Sequence, residues 1–276
     1  MGIDKFYRRA IFPAMNLGEL VIDGVIRPGG SPQGTYEGSD TQNYDIGARR
    51  VTADGRVFRY GKCRASFSAM NVGCKNFRCL VSRVDNICKA ALEGAKTIEV
   101  ATDNFAVTEG LLLEDDLRGG YISLYRSNDR QQRLILGNTP VPVFAGATCI
   151  LTLADPLVTA INLGDNCEIS HNPYSELDVG SHNYTAVMGM PTRLALTGEY
   201  LWIQTWGPYR VSPEGAGYGD AENQLQFVFG STGGIITHKE GELYADYSKQ
   251  HAGFVMERSG LVVGSVAPFI MLQISP

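Results

Sequence analysis

Beyond Thr192 the chain is a succession of short apolar runs, at 200–206, 224–229, 234–237, 254–257, 261–266 and 269–274, with glycine or turn-forming residues at the breaks. Runs of this length are too short for ordinary helices and suit strands. Their regular spacing predicts an antiparallel sandwich or barrel. The 32 glycines supply the many turns such a fold requires. Upstream, further strands are expected at 96–102, 120–126, 133–136, 149–153 and 167–170. Asp54-Gly55 between Val51-Thr52 and Val57-Phe58 predicts a hairpin, because Asp-Gly tolerates the positive φ of a type I′ turn. The exception to the strand pattern is 79–92. There Leu80, Val84, Ile87 and Ala91 recur at steps of three and four, which predicts one short helix near 80–92.

The first 45 residues follow no period. Pro13, Pro28 and Pro32 interrupt them, and 27–43 is almost entirely polar or turn-forming, around one apolar stretch that includes Ile22 and Ile26. This composition predicts an extended N-terminal arm with apolar beads, of the kind that docks on its own body or on a neighbour. The expected architecture is therefore mainly β. An arm at 1–45 leads into a β-rich domain with the short helix at 46–190. A small antiparallel β-barrel or sandwich follows at 191–276.

Charge narrows the function. Only 19 % of residues are charged, against roughly 25 % in an average soluble domain. That suits a protein whose exterior is partly hidden against partners. Net charge is −5 and unevenly spread, with +3 over residues 1–64 and −8 over the rest. A general nucleic-acid binder needs clustered Lys and Arg, so none is expected as a partner. No run of 18 apolar residues exists to span a membrane, and the N-terminus lacks the apolar core of a secretory signal. The six cysteines form no C-x-x-C pair and read as reduced, part-buried thiols.

Motifs for chemistry are missing. There is no G-x-S-x-G, P-loop, H-E-x-x-H or strand-linked G-x-G-x-x-G. His171 and His182 lie near Glu168, Glu176 and Asp178, but without metal-ligand spacing. Glu114-Asp115-Asp116 lacks the alternation of a calcium loop and reads as a solvated turn. No catalytic residue, cofactor or metal is expected, and the chain reads as a non-enzyme.

One stretch concentrates aromatic side chains. Both tryptophans, Trp202 and Trp206, lie in a segment flanked by Tyr200 and Tyr209. As a strand it places Tyr200, Trp202, Gln204 and Trp206 on one face and Leu201, Ile203 and Thr205 on the other, with Gly207-Pro208 ending it. The aromatic face suits core packing, a protein interface or a glycan platform, and the sequence leaves these open.

Three segments, Arg49 to Tyr60, Gly119 to Leu124 and Tyr200 to Pro208, resemble landmarks of head proteins from tailed double-stranded DNA phages. The last third, with Gly260 to Ala267, resembles small β-barrel capsid decoration proteins. The resemblance implies a virion structural protein, made in the host cytoplasm, that sits on the capsid surface as a homotrimer, binds the major capsid protein and stabilises the shell. The interface residues expected on this basis are Phe6, Tyr7, Arg8, Arg9, Ile22 and Ile26 on the arm, with Tyr200, Trp202, Trp206 and Tyr209 on the body. The alternative is a tail-associated or head-fibre adhesion module binding a host glycan through Tyr200 to Trp206.

Overall fold

A computed structural model describes residues 19–20, 26–76, 86–101, 112–126, 129–141, 148–179, 185–214, 225–238, 249–257 and 267–276. They are mainly β, in antiparallel sheets curled into half-barrels, with no helix among them. The chain divides into two compact units. One comprises the described residues of Met1–Phe77 and Glu176–Pro276, and the other those of Arg78–Ser175. This division is not the sequential one expected from the sequence, because the second unit interrupts the first.

The first unit begins with β1 (Glu19–Leu20), β2 (Gly38–Ser39), β3 (Arg49–Thr52), β4 (Val57–Lys62) and β5 (Cys74–Asn76). The second unit holds β6 (Asn86–Ile87), β7 (Thr97–Ala101), β8 (Tyr121–Arg126), β9 (Asp129–Asn138), β10 (Thr148–Leu153) and β11 (Asn166–Ser170). The first unit resumes with β12 (Leu177–Asp178), β13 (Val187–Pro191), β14 (Tyr200–Arg210), β15 (Gln226–Phe229), β16 (Ile235–Thr237), β17 (His251–Glu257) and β18 (Phe269–Gln273). Strands β5 and β12, on either side of the interruption, pair with each other through Leu177↔Asn76 and Asp178↔Lys75. An insertion that leaves and returns through neighbouring strands leaves the host sheet continuous.

The second unit is a six-stranded sheet in the order β6-β11-β8-β9-β10-β7. Its two edges meet at the Cys88↔Val100 bridge. Alternate residues of each strand, among them Ile98, Val100, Ile122, Leu124, Cys149, Leu151, Cys167 and Ile169, fill the interior. The period of two read from the sequence thus predicts these strands and their buried faces. The expected helix is corrected over its second half. Residues 86–87 are a strand on β11, and Cys88 and Ala91 form bridges to Val100 and Ile161. A short apolar run satisfies the periods of helix and strand alike, and here the open edge of β11 supplies backbone partners. Its first half lies outside the described residues.

The first unit is a 12-stranded sheet whose main path runs β1-β3-β4-β14-β18-β17-β15-β16. The expected hairpin joins β3 to β4, with Val51 opposite Val57. Its turn differs from type I′. Thr52 N–H donates to the Arg56 carbonyl, and of the turn residues Gly55 alone carries positive φ, at 83°. This is a three-residue connection with glycine in the left-handed position. The arm is also corrected in part. Glu19–Leu20 pairs with β3, Ile26 bridges Tyr44, and Gly38–Ser39 pairs with β14. Residues 26–45 therefore belong to the sheet's cover. Of the interface residues placed on the arm, Phe6, Tyr7, Arg8, Arg9 and Ile22 lie outside the described residues.

Candidate interaction surface

Strand β14 is 11 residues long and passes through Gly207-Pro208, where the sequence had suggested an end. Its register against β4 shifts between Gln204 and Trp206. Gly207 has φ 100°, and a Cβ there would meet Arg56 Cγ at 2.8 Å, so only glycine fits. Past this point β14 has run beyond the end of β4 and pairs on its other edge with β18, from Trp206↔Gln273 to Arg210↔Phe269. Proline is tolerated where a strand has lost one neighbour, because its missing N–H has less of a ladder to break.

The two halves of this strand have different fates. In the first half, Tyr200 and Trp202 are covered by residues 26–48. Trp202 packs with Tyr44, Phe58 and Tyr60, and Ile26, Ile46 and Tyr200 close around them. The Trp202 ring lies 5.0 Å from both Tyr44 and Tyr60, and Tyr60 stacks on Tyr200 at 6.1 Å. Arg50 is buried with its guanidinium carbon 4.2 Å from the centre of the Trp202 ring. Desolvation strengthens such a cation–π contact. Arg50 also donates to the Gln33 carbonyl at 2.8 Å and the Thr35 hydroxyl at 3.1 Å.

Gln33 ties this assembly together. At 3 % exposure, its amide nitrogen donates to the carbonyls of Glu37 and Tyr200. Its amide oxygen accepts from the Tyr60 hydroxyl at 2.6 Å and from Asn43 at 3.1 Å. Its backbone carbonyl accepts from Trp202 Nε1 at 3.4 Å. Burial raises the Tyr60 hydroxyl well above its ordinary value, which keeps it a donor to Gln33. Sequence reasoning passed over Gln33 because it sits among turn residues. Only its long-range partners distinguish it.

The second half of β14 is open. Across the sheet, Pro208 lies opposite Met271, Met271 opposite Phe254, and Phe254 opposite Gln226. Trp206 and Phe269 flank this row. Trp206, Pro208, Phe269 and Met271 are half-buried, while Phe254 is 43 % and Met256 49 % exposed. Arg210 caps one end, 5.3 Å from the Phe269 ring and 3.5 Å from Glu257. The opposite face of the same strands, with Ile270, Leu272 and Phe227, is core. Tyr209 alternates to that inner side, where burial raises its hydroxyl. The hydroxyl lies 2.8 Å from the carbonyls of Met70 and Pro191.

Of the four expected body residues, then, Trp206 alone lies on an open face. Trp202 is core, Tyr200 is stacked on Tyr60, and Tyr209 braces the inside. Ile26, from the arm, packs against the Trp202 cluster. A platform of three aromatic rings does not form.

Residues of chemical interest are occupied structurally. Asp116 caps the Leu113 N–H at 2.8 Å, and Asp115 pairs with Arg118 at 3.6 Å. Glu168 accepts from the Tyr125 hydroxyl, and Glu176 and Asp178 each lie 3.9 Å from Arg64. Among the described residues no group of three His, Cys, Asp or Glu side chains could hold a metal. The described cysteines are free and buried. Burial pushes the Cys63 thiol up to about 12 and Cys149 up to about 11, which disfavours the nucleophilic thiolate. Comparison of the chain with protein-family models, with curated proteins and with solved structures gives no match. The fold and this surface define a mainly β protein bearing an open aromatic and methionine-rich sheet face.

Proposed function

We propose that this chain is a non-enzymatic virion structural protein that binds the outside of a phage capsid and stabilises the shell. The observation that carries the reading is the row Trp206, Pro208, Met271 and Phe254 on the open face of β14, β18 and β17. Rings and methionines give large apolar burial and adapt to a partner's relief, which suits docking on protein. An apolar row of this kind on an ordered sheet also loses little side-chain freedom on binding. The resemblance to phage head proteins supplies the partner, the major capsid protein, and the expectation of trimeric copies.

The effect on the shell follows from linkage. A protein that binds the assembled lattice and not its separated subunits stabilises the lattice by mass action. Repeated copies multiply a modest single contact through avidity. The adhesion reading is the weaker of the two, since Trp202 is buried and Tyr200 is stacked on Tyr60, apart from Trp206.

The test is a pelleting titration of the full chain against shells of its phage stripped of this protein. Saturable binding at a fixed ratio to the shell subunit is expected, with binding lost in a Trp206→Ser, Phe254→Ser variant that melts like the parent. Absence of binding by the parent chain overturns the proposal.

A further inference from the structure

The edge region of the large sheet carries an arrangement that the docking face does not explain. Arg49 on β3 lies directly opposite Arg59 on β4. Backbone bonds from Tyr60 N–H to the Ala48 carbonyl and from Thr52 N–H to the Arg56 carbonyl fix the alternation of the ladder. They make Arg49 and Arg59 a non-hydrogen-bonded pair, the closer of the two spacings in an antiparallel ladder. Like charges at that spacing repel, and arginine cannot relieve the repulsion by losing its proton.

Both side chains are partly buried, and the Nε of each is sealed from solvent without a hydrogen-bond acceptor. Arg59 Nη1 donates to the Gly47 carbonyl at 3.3 Å. Among the described residues neither arginine has a carboxylate at ion-pair distance. The nearby acids are taken, Asp45 by Arg27 at 3.8 Å and Asp54 by Arg56 at 2.7 Å. Two arginines opposed across the ladder, each with an unpartnered Nε–H, are an arrangement that an oxyanion would complete, because the guanidinium fork matches carboxylate and phosphate geometry.

We propose that Arg49 and Arg59 form a clamp for a single oxyanion group, either a carboxylate from an acidic protein segment or a phosphate. The site is on β3 and β4 and stands independently of the open face around Trp206.

The experiment is thermal unfolding of the full chain in chloride, in chloride with sodium phosphate, and in chloride with a hexaglutamate peptide, all at one ionic strength. The clamp predicts a saturable rise in Tm of about 2 °C or more with at least one of the two probes. That rise should vanish in Arg49→Gln and in Arg59→Gln and shrink in Arg49→Lys, which keeps the charge and loses the fork. In chloride alone, Arg49→Gln should melt at or above the parent, since the substitution relieves repulsion. A rise with phosphate alone assigns the site to the free ion, and a rise with the peptide alone assigns it to an acidic partner. No rise with either probe, an equal rise in Arg49→Gln, or an Arg49→Gln variant that melts below the parent in chloride overturns the proposal.

Discussion

Trp202 and Trp206 are four residues apart on one strand with a register shift between them, and one is core while the other is half open. Over Tyr200 and Trp202 a second layer, residues 26–48, lies on the strand and brings Tyr44, Gln33 and Ile26 onto the Trp202 ring. The register shift between Gln204 and Trp206 sets Trp206 opposite Val57, off the side that Trp202 shares with Phe58, and in line with Gln273 of β18. The difference teaches that an aromatic stripe has no fixed meaning of its own. The side of the sheet that register gives each ring, and what lies over that side, decide whether it holds the fold together or is free to meet a partner.

The largest expected break falls on the covered half. Trp202→Ala should cost about 3–5 kcal/mol in urea unfolding, because it opens a cavity and strips Arg50 of its ring. A loss below about 1 kcal/mol would mean that the cover is not closed over the ring. Next is Gln33→Leu, expected to cost about 2–3 kcal/mol by leaving Tyr60, Asn43 and the Tyr200 carbonyl without their partner. If Gln33→Leu is neutral, residues 26–48 are not held down through this amide.

A smaller effect sharpens the comparison beneath the open half. The Glu214 carboxylate accepts from the backbone N–H and hydroxyl groups of both Ser231 and Thr232. Burial acts to raise it, but these hydrogen bonds hold it below its ordinary value. A lowered folded pKa stabilises above the unfolded value near 4.5 and loses that contribution as pH falls through the folded value. Glu214→Gln should therefore cost about 1 kcal/mol at pH 7, with the gap from the parent closing under acid. A gap that is constant from pH 7 to pH 3 would rule out the charged form as its source.

The smallest stability change is expected at Trp206. Trp206→Ser should move the unfolding midpoint by the equivalent of about 0.5 kcal/mol or less while reducing shell binding. Large destabilisation there, comparable with Trp202→Ala, would erase the distinction between the two halves.

Much of the fold was legible from alternation. The runs at 96–102 and 120–126 contain β7 and β8, those at 149–153 and 167–170 match β10 and β11 to within one residue, and the hairpin at Asp54-Gly55 forms. The helix near 80–92 was misread over 86–92, since four apolar residues at helical steps cannot tell whether a strand edge waits beside them. Residues 27–43 read as irregular because burial of Gln33, Thr35 and Asn43 depends on partners up to 169 residues away. The candidate surface was half legible. Trp206 was named from the sequence, but Met271 and Phe254 were not, as they join it only through strand pairing.

By itself the sequence determined a mainly β chain with a period of two along most strands, because that period follows from backbone geometry alone. Tertiary structure alone decided which strands became neighbours, that 78–175 interrupts the first unit, and which tryptophan faces outward. Those outcomes depend on register and on covering layers. Both are set by contacts between residues far apart in the chain, which local pattern does not encode.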